Sequence, residues 1–354
     1  MKLHTALAVG IALLFGWWVI SAVPLDQLVE TLKTVSPTAL LWVAGIFLIQ
    51  QCLRAWRQQI LVQAVKPGTT YRGNLSVLCM SFFCINSFPA RLGELVRPGL
   101  LLEKEDVPLG AGFSIVFMER ILDLMVALGV LLVVLIQLDI DSTTVALNGV
   151  LIDFPALLRA AAIGVVLPVF SILIFIALAP QKGLALIHAS VRIAAKVLPK
   201  ALEDKAAGFA ERFGESFLQG VAVLRQPKRL ASVIAITAVA WGGTGFLYVQ
   251  LANGFPALEG QISWAEGMGI LVITMLGTAI PALPGFAAVY EGAVVAAFML
   301  LGIGVSPEVD GLAFALVVHW WIYAVQSATA FYFFISDGVS VSRLRGATRR
   351  SQSA

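Results

Sequence analysis

The chain has 354 residues, 59% of them hydrophobic and 13% charged, with a net charge of +3. Soluble domains run about 45–50% apolar and about 25% charged, so the balance excludes an ordinary soluble domain and points to a membrane protein. With so small a net charge, what matters is where the basic residues sit, and no nucleic-acid partner is expected.

A run of about 18 apolar residues suffices to cross a hydrocarbon core of about 30 Å. The first run, residues 6–23, follows Lys2. Its end, Ile20-Ser21-Ala22, faintly resembles a signal-peptide cleavage site, but the run is over-long for that role and more spans follow, so it reads as a span. Residues 38–53 form a shorter second run, followed by Arg54, Arg57, Lys66 and Arg72, which are read as lying in a basic loop. Residues 73–102 come next, then an apolar run at 112–138. Residues 139–154 carry Asp139, Asp141 and Asp153 and no basic residue. A further run, 157–179, leads into the longest polar stretch, 181–229, crowded with Lys and Arg. The runs 230–251, 264–301 and 312–335 complete the apolar segments, separated by loops whose only charges are Glu259 and then Glu308 and Asp310. Arg343, Arg345, Arg349 and Arg350 follow the last run.

Cytoplasmic loops carry an excess of Lys and Arg. On that rule the loop after residue 53, the central stretch and the C-terminal tail lie inside, and the acidic loops outside. The chain is then inside both before and after residues 73–102, and outside both before and after residues 264–301. Each of these segments must enter and leave on the same face. The first breaks at FPARLGELVRP, residues 88–98, where Pro89, Gly93 and Pro98 interrupt the apolar pattern, and the second at IPALPGFAAVYE, residues 280–291, at Pro281, Pro284 and Gly285.

The expected fold is an all-α, polytopic membrane helix bundle with two inverted repeats, 38–138 and 230–336, each containing a broken re-entrant hairpin. It is one membrane domain: a first span and loop (1–37), the two halves, a linking span with a cytoplasmic amphipathic region (139–229), and a basic tail (337–354). Broken helices at corresponding places in inverted halves mark a transporter's site near the midplane, and irregular backbone at that depth must be buried or line a wet cavity. Within 201–224, Phe209, Phe213, Phe217, Val221 and Leu224 recur at helical spacing. This fits an amphipathic helix on the membrane surface or a connector packed on the bundle.

Ionisable groups inside a membrane cost roughly 2.5–3.5 kcal/mol each on insertion scales and tend to be functional. Arg91, Glu94 and Arg97 cluster at the first break. A guanidinium fork suits phosphate, and a broken helix offers free N–H groups to the same anion; the competing reading has both arginines snorkelling to the interface. Glu94 is placed to pair with either. In Met118–Asp123, Glu119 and Asp123 share a helix face, with Arg120 turned by about 100°. That face fits both a charge set meeting Arg91 or Arg97 and a structural ion pair. Glu291 is, apart from Tyr290, the only ionisable side chain between Glu266 and Glu308, open to three readings: protonated, paired with an arginine of the first hairpin, or a proton-coupling group. His319 on the last run is a further candidate. Cys52, Cys79 and Cys84 have no metal-ligand spacing, and no metal or other cofactor is expected. There is no ATPase phosphate loop, no His-Glu-x-x-His and no Gly-x-Ser-x-Gly. Asp139-Ile140-Asp141 is too short a match to carry a glycosyltransferase reading.

At its two breaks the sequence resembles the flippase-like membrane family that includes the transmembrane region of lysylphosphatidylglycerol synthase. The family's Pro-x-Arg-x-Gly-Glu is matched by Pro89, Arg91, Gly93 and Glu94, a following Arg by Arg97, and its Glu-Arg-x-x-Asp by Glu119, Arg120 and Asp123. Its Pro-Gly-Gly-x-Gly-x-x-Glu is matched by Pro284, Gly285 and Glu291, with Phe286 and Ala288 where the family has its second and third glycines, and His319 where an Arg is common. The resemblance implies that these matched residues form a substrate site. It also implies the lipid-moving half of such proteins without the synthase, for modified phospholipids or for polyisoprenoid-derived or hopanoid lipids.

The reading is therefore a bacterial inner-membrane lipid transporter or flippase, not an enzyme, with a cytoplasmic C-terminus and a membrane lipid as its partner. Lipid-biosynthesis enzymes and further copies of the chain are candidate partners. Two other classes compete: a membrane-embedded enzyme in which Glu94 or Glu291 is an acid or base, and a non-transporting scaffold that binds lipid-synthesis enzymes through residues 201–224.

Overall fold

The computed structural model describes residues 25–87, 94–137, 144–147, 150–153, 226–278 and 284–338, with Gly164, Pro168 and Ser171. The expected first span, the linking span, the amphipathic segment 201–224 and the basic tail lie outside these residues. Nine α-helices are present among them: α1 (Leu25–Lys33), α2 (Pro37–Val65), α3 (Tyr71–Ser87), α4 (Val96–Glu105), α5 (Leu109–Gln137), α6 (Pro227–Ala252), α7 (Trp264–Gly277), α8 (Val289–Leu301) and α9 (Pro307–Asp337). After α5 a short antiparallel hairpin pairs β1 (Thr144–Leu147) with β2 (Val150–Asp153), Thr144 opposite Asp153. Apart from it the described fold is an all-α membrane helix bundle. Helices α2, α6 and α9 are each long and apolar enough to cross a membrane. Their outward faces carry bulky apolar groups such as Leu41, Ile49, Val239, Tyr332 and Ile335, the arrangement a lipid solvent permits.

Boundaries follow local chemistry. Proline stands in the first turn of α2, α6 and α9, where its missing N–H costs no helical bond. Ser263 and Glu266 close a capping box at the start of α7, and α8 ends at Gly302 in the left-handed conformation.

One boundary corrects the sequence reading. Helix α2 continues through Arg54 and Arg57 to Val65, so neither arginine lies in a loop. The basic loop begins only at Lys66.

Both hairpins turn back. The Thr70 N–H, beside the start of α3, donates to Glu105 Oε2 at the end of α4 over 3.1 Å, and the Thr70 hydroxyl to Oε1 over 3.0 Å. The ends of the α7–α8 pair are tied by the Gly304 N–H donating to Gln261 Oε1 at 3.1 Å. Each short helical pair thus enters and leaves at one end of the bundle.

The helix contacts are self-consistent under one exchange. Swapping α2, α3, α4 and α5 for α6, α7, α8 and α9 sends each packing pair among them to another that is present: α2–α3 to α6–α7, α3–α4 to α7–α8, α4–α5 to α8–α9, and α3–α9 to α5–α7. The pair α2–α6 maps to itself, and it is antiparallel. Ser36 N–H donates to Gly254 O at one end (2.9 Å), Gln50 donates to Ala240 O in the middle (3.2 Å), and Arg57 donates to Thr237 Oγ1 farther along (3.1 Å).

The apolar interior has two parts. One joins α1 and the start of α2 to α6–α9 around Phe255, Phe298 and Phe314; the other joins the end of α2 to α3, α4 and α5 around Leu61, Met80, Leu101 and Ile115.

Candidate functional site

The residues of the first hairpin and α5 meet in a buried charge cluster. Arg97, second residue of α4, is 1% exposed, and its Nη1 lies 2.7 Å from Oε2 of Glu119, which is fully buried. Arg97 also donates from Nε to Gln58 Oε1 at 2.8 Å and from Nη2 to the same oxygen. Arg97 is thus buried and paired, not snorkelling. Asp123, one turn along α5 from Glu119, accepts from Arg57 Nη1 at 2.5 Å and Nη2 at 3.4 Å, and from the indole N–H of Trp241 at 3.1 Å. Arg57 bridges the two carboxylates, with Nε 3.7 Å from Glu119 Oε1. Arg120 lies 3.4 Å from Asp123 on the more exposed side.

Arg57 went unrecognised in the sequence because a basic residue just beyond an apolar run looks like a loop marker. The available signal was periodicity: Gln50, Arg54, Arg57 and Gln58 share one face of α2, and Gln50, Arg57 and Gln58 are buried. Arg54 is half-buried and lies over the rings of Phe82 (5.6 Å) and Trp241 (6.0 Å), with no carboxylate in contact among the described residues. It is within electrostatic reach of Glu119, Asp123, Arg57 and Arg120. Among the described residues four guanidinium groups, Arg54, Arg57, Arg97 and Arg120, therefore surround the two carboxylates Glu119 and Asp123. In low dielectric such an imbalance favours an anion.

Pro89, Arg91 and Gly93 of the first break lie outside the described residues. Glu94 is half-buried and forms no ion pair among them, so the expected pairing of Glu94 with Arg97 is not made; Glu119 takes that arginine instead. The described cluster sits about 12 Å along the helices from Glu105 and Val65, eight residues at about 1.5 Å each.

The turn Pro284–Phe286 packs on α3, and a side chain at Gly285 would stand 3.7 Å from the carbonyl oxygen of Asn86, close to the end of α3. Gly285 has φ 74°, and Phe286 (56°) and Ala288 (66°) are also left-handed. Glu291, in the first turn of α8 and 5% exposed, contacts His319 of α9, with Oε1 2.8 Å from Nδ1. Among the described residues its ionisable partner is thus the histidine, while Arg97 of the first hairpin is engaged by Glu119. The Tyr290 ring covers His319 at a centroid distance of 4.4 Å, and the Tyr290 hydroxyl lies 3.0 Å from that of Tyr248.

The family described as the lysylphosphatidylglycerol synthase TM region matches residues 5–330. The chain belongs to this family. No curated protein matches the chain significantly. Membership together with the helices long and apolar enough to span makes it a multi-pass membrane protein of a family tied to lipid metabolism or transport. Of the charged positions that carry the resemblance in the first half, Arg97, Glu119, Arg120 and Asp123 converge in the buried cluster, with Arg54, Arg57, Gln58 and Trp241 around them. Among the described residues no group of His, Cys, Asp and Glu is arranged to hold a metal.

Proposed function

We propose that this member of the lysylphosphatidylglycerol synthase TM-region family is a lipid flippase of the bacterial inner membrane. It moves the anionic head group of a membrane lipid between leaflets without altering it chemically. The observation that carries the reading is the excess of guanidinium over carboxylate in the buried cluster of α2, α4 and α5. Guanidinium forks bind phosphate oxygens two at a time, and Arg54, lying over Phe82 and Trp241 with no carboxylate in contact among the described residues, is suited to receive such a group. An open groove of about 550 Å³ on the outer side of α2, lined by Leu48, Cys52, Trp56 and Tyr71 among others, offers an apolar path for an acyl chain.

The matched exchange of packing partners and the antiparallel α2–α6 pair support two inverted halves. Alternating access would then be a rocking of one half against the other. The excess of Lys and Arg near Arg72, Lys104 and Lys228 supports a cytoplasmic location for that end of the bundle, where α9 ends.

The test is purified protein in liposomes carrying a fluorescent phosphatidylglycerol, with dithionite quenching of the outer leaflet. Wild type accelerates exchange between leaflets, and Arg54→Gln and Arg97→Gln slow it at least tenfold. Equal rates in wild type, variants and empty liposomes would count against the reading. A mass-altered lipid after incubation would favour an enzyme instead.

A further inference from the structure

The pair Glu291–His319 holds the same place in the second half that Arg97–Glu119 holds in the first. Arg97 and Glu291 stand in the first turn of the second helix of their hairpins, α4 and α8, and their partners lie about three turns along the long helices that follow, α5 and α9. The chemistry differs. A guanidinium keeps its proton in proteins, so Arg97–Glu119 has one charge state at any physiological pH. An imidazole changes charge in the middle of that range, and a carboxylate beside it can hold a proton as well. One half thus carries a fixed ion pair and the other a titratable one.

Among the described residues no other charged group forms an ion pair with these two side chains. Glu291 Oε2 is buried without a hydrogen-bond partner among the described residues. The titratable side chains in contact are Tyr290, over the imidazole, and Tyr248 of α6, on the Tyr290 hydroxyl. The charged groups on the packed elements stand elsewhere. Glu266 caps the start of α7, Glu308 and Asp310 lie in the first turn of α9 and Asp337 ends it. Arg72 lies at the start of α3, with the thiols of Cys79 and Cys84 along it. Asp26, Glu30 and Lys33 are on the short α1, Lys228 and Arg229 at the start of α6, and Arg54 and Arg57 of α2 are in the cluster around Asp123. No lysine or arginine makes an ion pair with Glu291 among the described residues, and within them its charge is balanced when the His319–Glu291 pair holds one proton.

We infer that Glu291 and His319 form a proton-binding site whose loading and unloading accompanies each transport cycle, so that lipid movement is coupled to a proton gradient. This rests on the transport reading above. With one proton the pair is neutral overall; a second, on the free Glu291 oxygen, makes it cationic, and loss of both leaves a buried carboxylate facing a neutral imidazole. The proton enters from one side of the membrane and leaves to the other, and no covalent bond between heavy atoms changes.

Two measurements on the full chain in liposomes test this. In the first, infrared spectra are recorded between pH 5 and 9. A protonated-carboxyl band that titrates in wild type and is missing from Glu291→Gln is expected; its absence from wild type overturns the proton site, whether or not any lipid moves. In the second, movement of fluorescent phosphatidylglycerol is timed under pH gradients of opposite sign. The two rates are expected to differ several-fold in wild type, and their ratio to fall to one in His319→Arg, which turns the pair into a fixed one. A wild-type ratio of one, with lipid moving, overturns the coupling and leaves the transport reading intact. No movement of any probe lipid, with the titrating band present, counts against transport and not against the proton site.

Discussion

Arg97 and Glu119 meet at 2.7 Å with both side chains withdrawn from solvent. Breaking a buried pair by removing one partner typically costs about 3–5 kcal/mol, because the other charge is left without compensation. Arg97→Ala is expected near the lower end of that range, since Arg57 stands 3.7 Å from the same carboxylate. The double variant Arg97→Met/Glu119→Met, which removes both charges and keeps most of the volume, is expected to regain more than half of the loss. Thermal unfolding followed by tryptophan fluorescence in detergent checks this. A double variant as unstable as Arg97→Ala would mean that the cost lies in packing and not in the unpaired charge.

The same cluster marks how far sequence reasoning reaches. Hydropathy and the Pro/Gly breaks place α2, α5, α6 and α9 and both hairpins, because a bilayer leaves a backbone few ways to satisfy its polar groups. The four-residue spacing of Glu119 and Asp123 puts both on one face, and both point inward. What the sequence does not give is partner choice. Arg57 lies 66 positions from Asp123, and a basic residue just beyond an apolar run carries the same signature whether its helix stops or continues. Glu291 and His319 are each conspicuous alone, yet their contact depends on how α8 folds back on α9, which hydropathy does not encode.

Helices α6 and α7 approach so closely that a methyl group on Gly267 would stand 2.8 Å from the carbonyl oxygen of Gly245. Small residues at helix crossings in membranes let backbones meet in this way. Because the obstacle is backbone, no rotamer change relieves it. Gly267→Ala is expected to destabilise by about 1–3 kcal/mol, the usual cost of overpacking. Gly99→Ala, with nothing within 4 Å of the added carbon, is expected to be neutral or slightly stabilising. Paired thermal midpoints decide, and equal midpoints for the two variants would show that α6 and α7 are not in this register.

Asp337 clasps the last helix to the first hairpin. It lies 2.9 Å from Arg72 of α3 and contacts Ser76 of α3 and Lys104 of α4, and Lys104 Nζ also donates to Ser76 Oγ at 2.7 Å. Arg72 is mostly solvated and adds little, whereas Lys104 and Asp337 are nearly enclosed. Asp337→Asn is expected to raise amide exchange in the last turn of α9 and the first turn of α3 about tenfold, equivalent to about 1.4 kcal/mol of local opening. Exchange in the first turn of α9 is expected to stay unchanged. Hydrogen–deuterium exchange in nanodiscs reads both, and uniform acceleration along α9 would mean global loosening instead of a released clasp.

The second break carries its own test of conformational strain. Phe286 and Ala288 replace two glycines of the family's motif, and both are held at positive φ, 56° and 66°. An L-residue in that region costs roughly 1–2 kcal/mol through the clash of its Cβ with the carbonyl oxygen. Glycine avoids the clash but loses roughly 0.5–1 kcal/mol in backbone entropy. Ala288→Gly therefore gains up to about 1.5 kcal/mol, whereas the same change at Ala293, a buried position inside α8, loses about 1 kcal/mol of helix propensity in addition to its packing. Opposite signs for two Ala→Gly substitutions five residues apart, read as a raised and a lowered thermal midpoint, are the expected result. A lowered midpoint at both would place Ala288 at negative φ, and the turn into α8 would then not need the family's glycines. The chain keeps the strained residues next to Glu291, and strain of this kind persists where the surrounding structure fixes it, commonly at sites that move or bind.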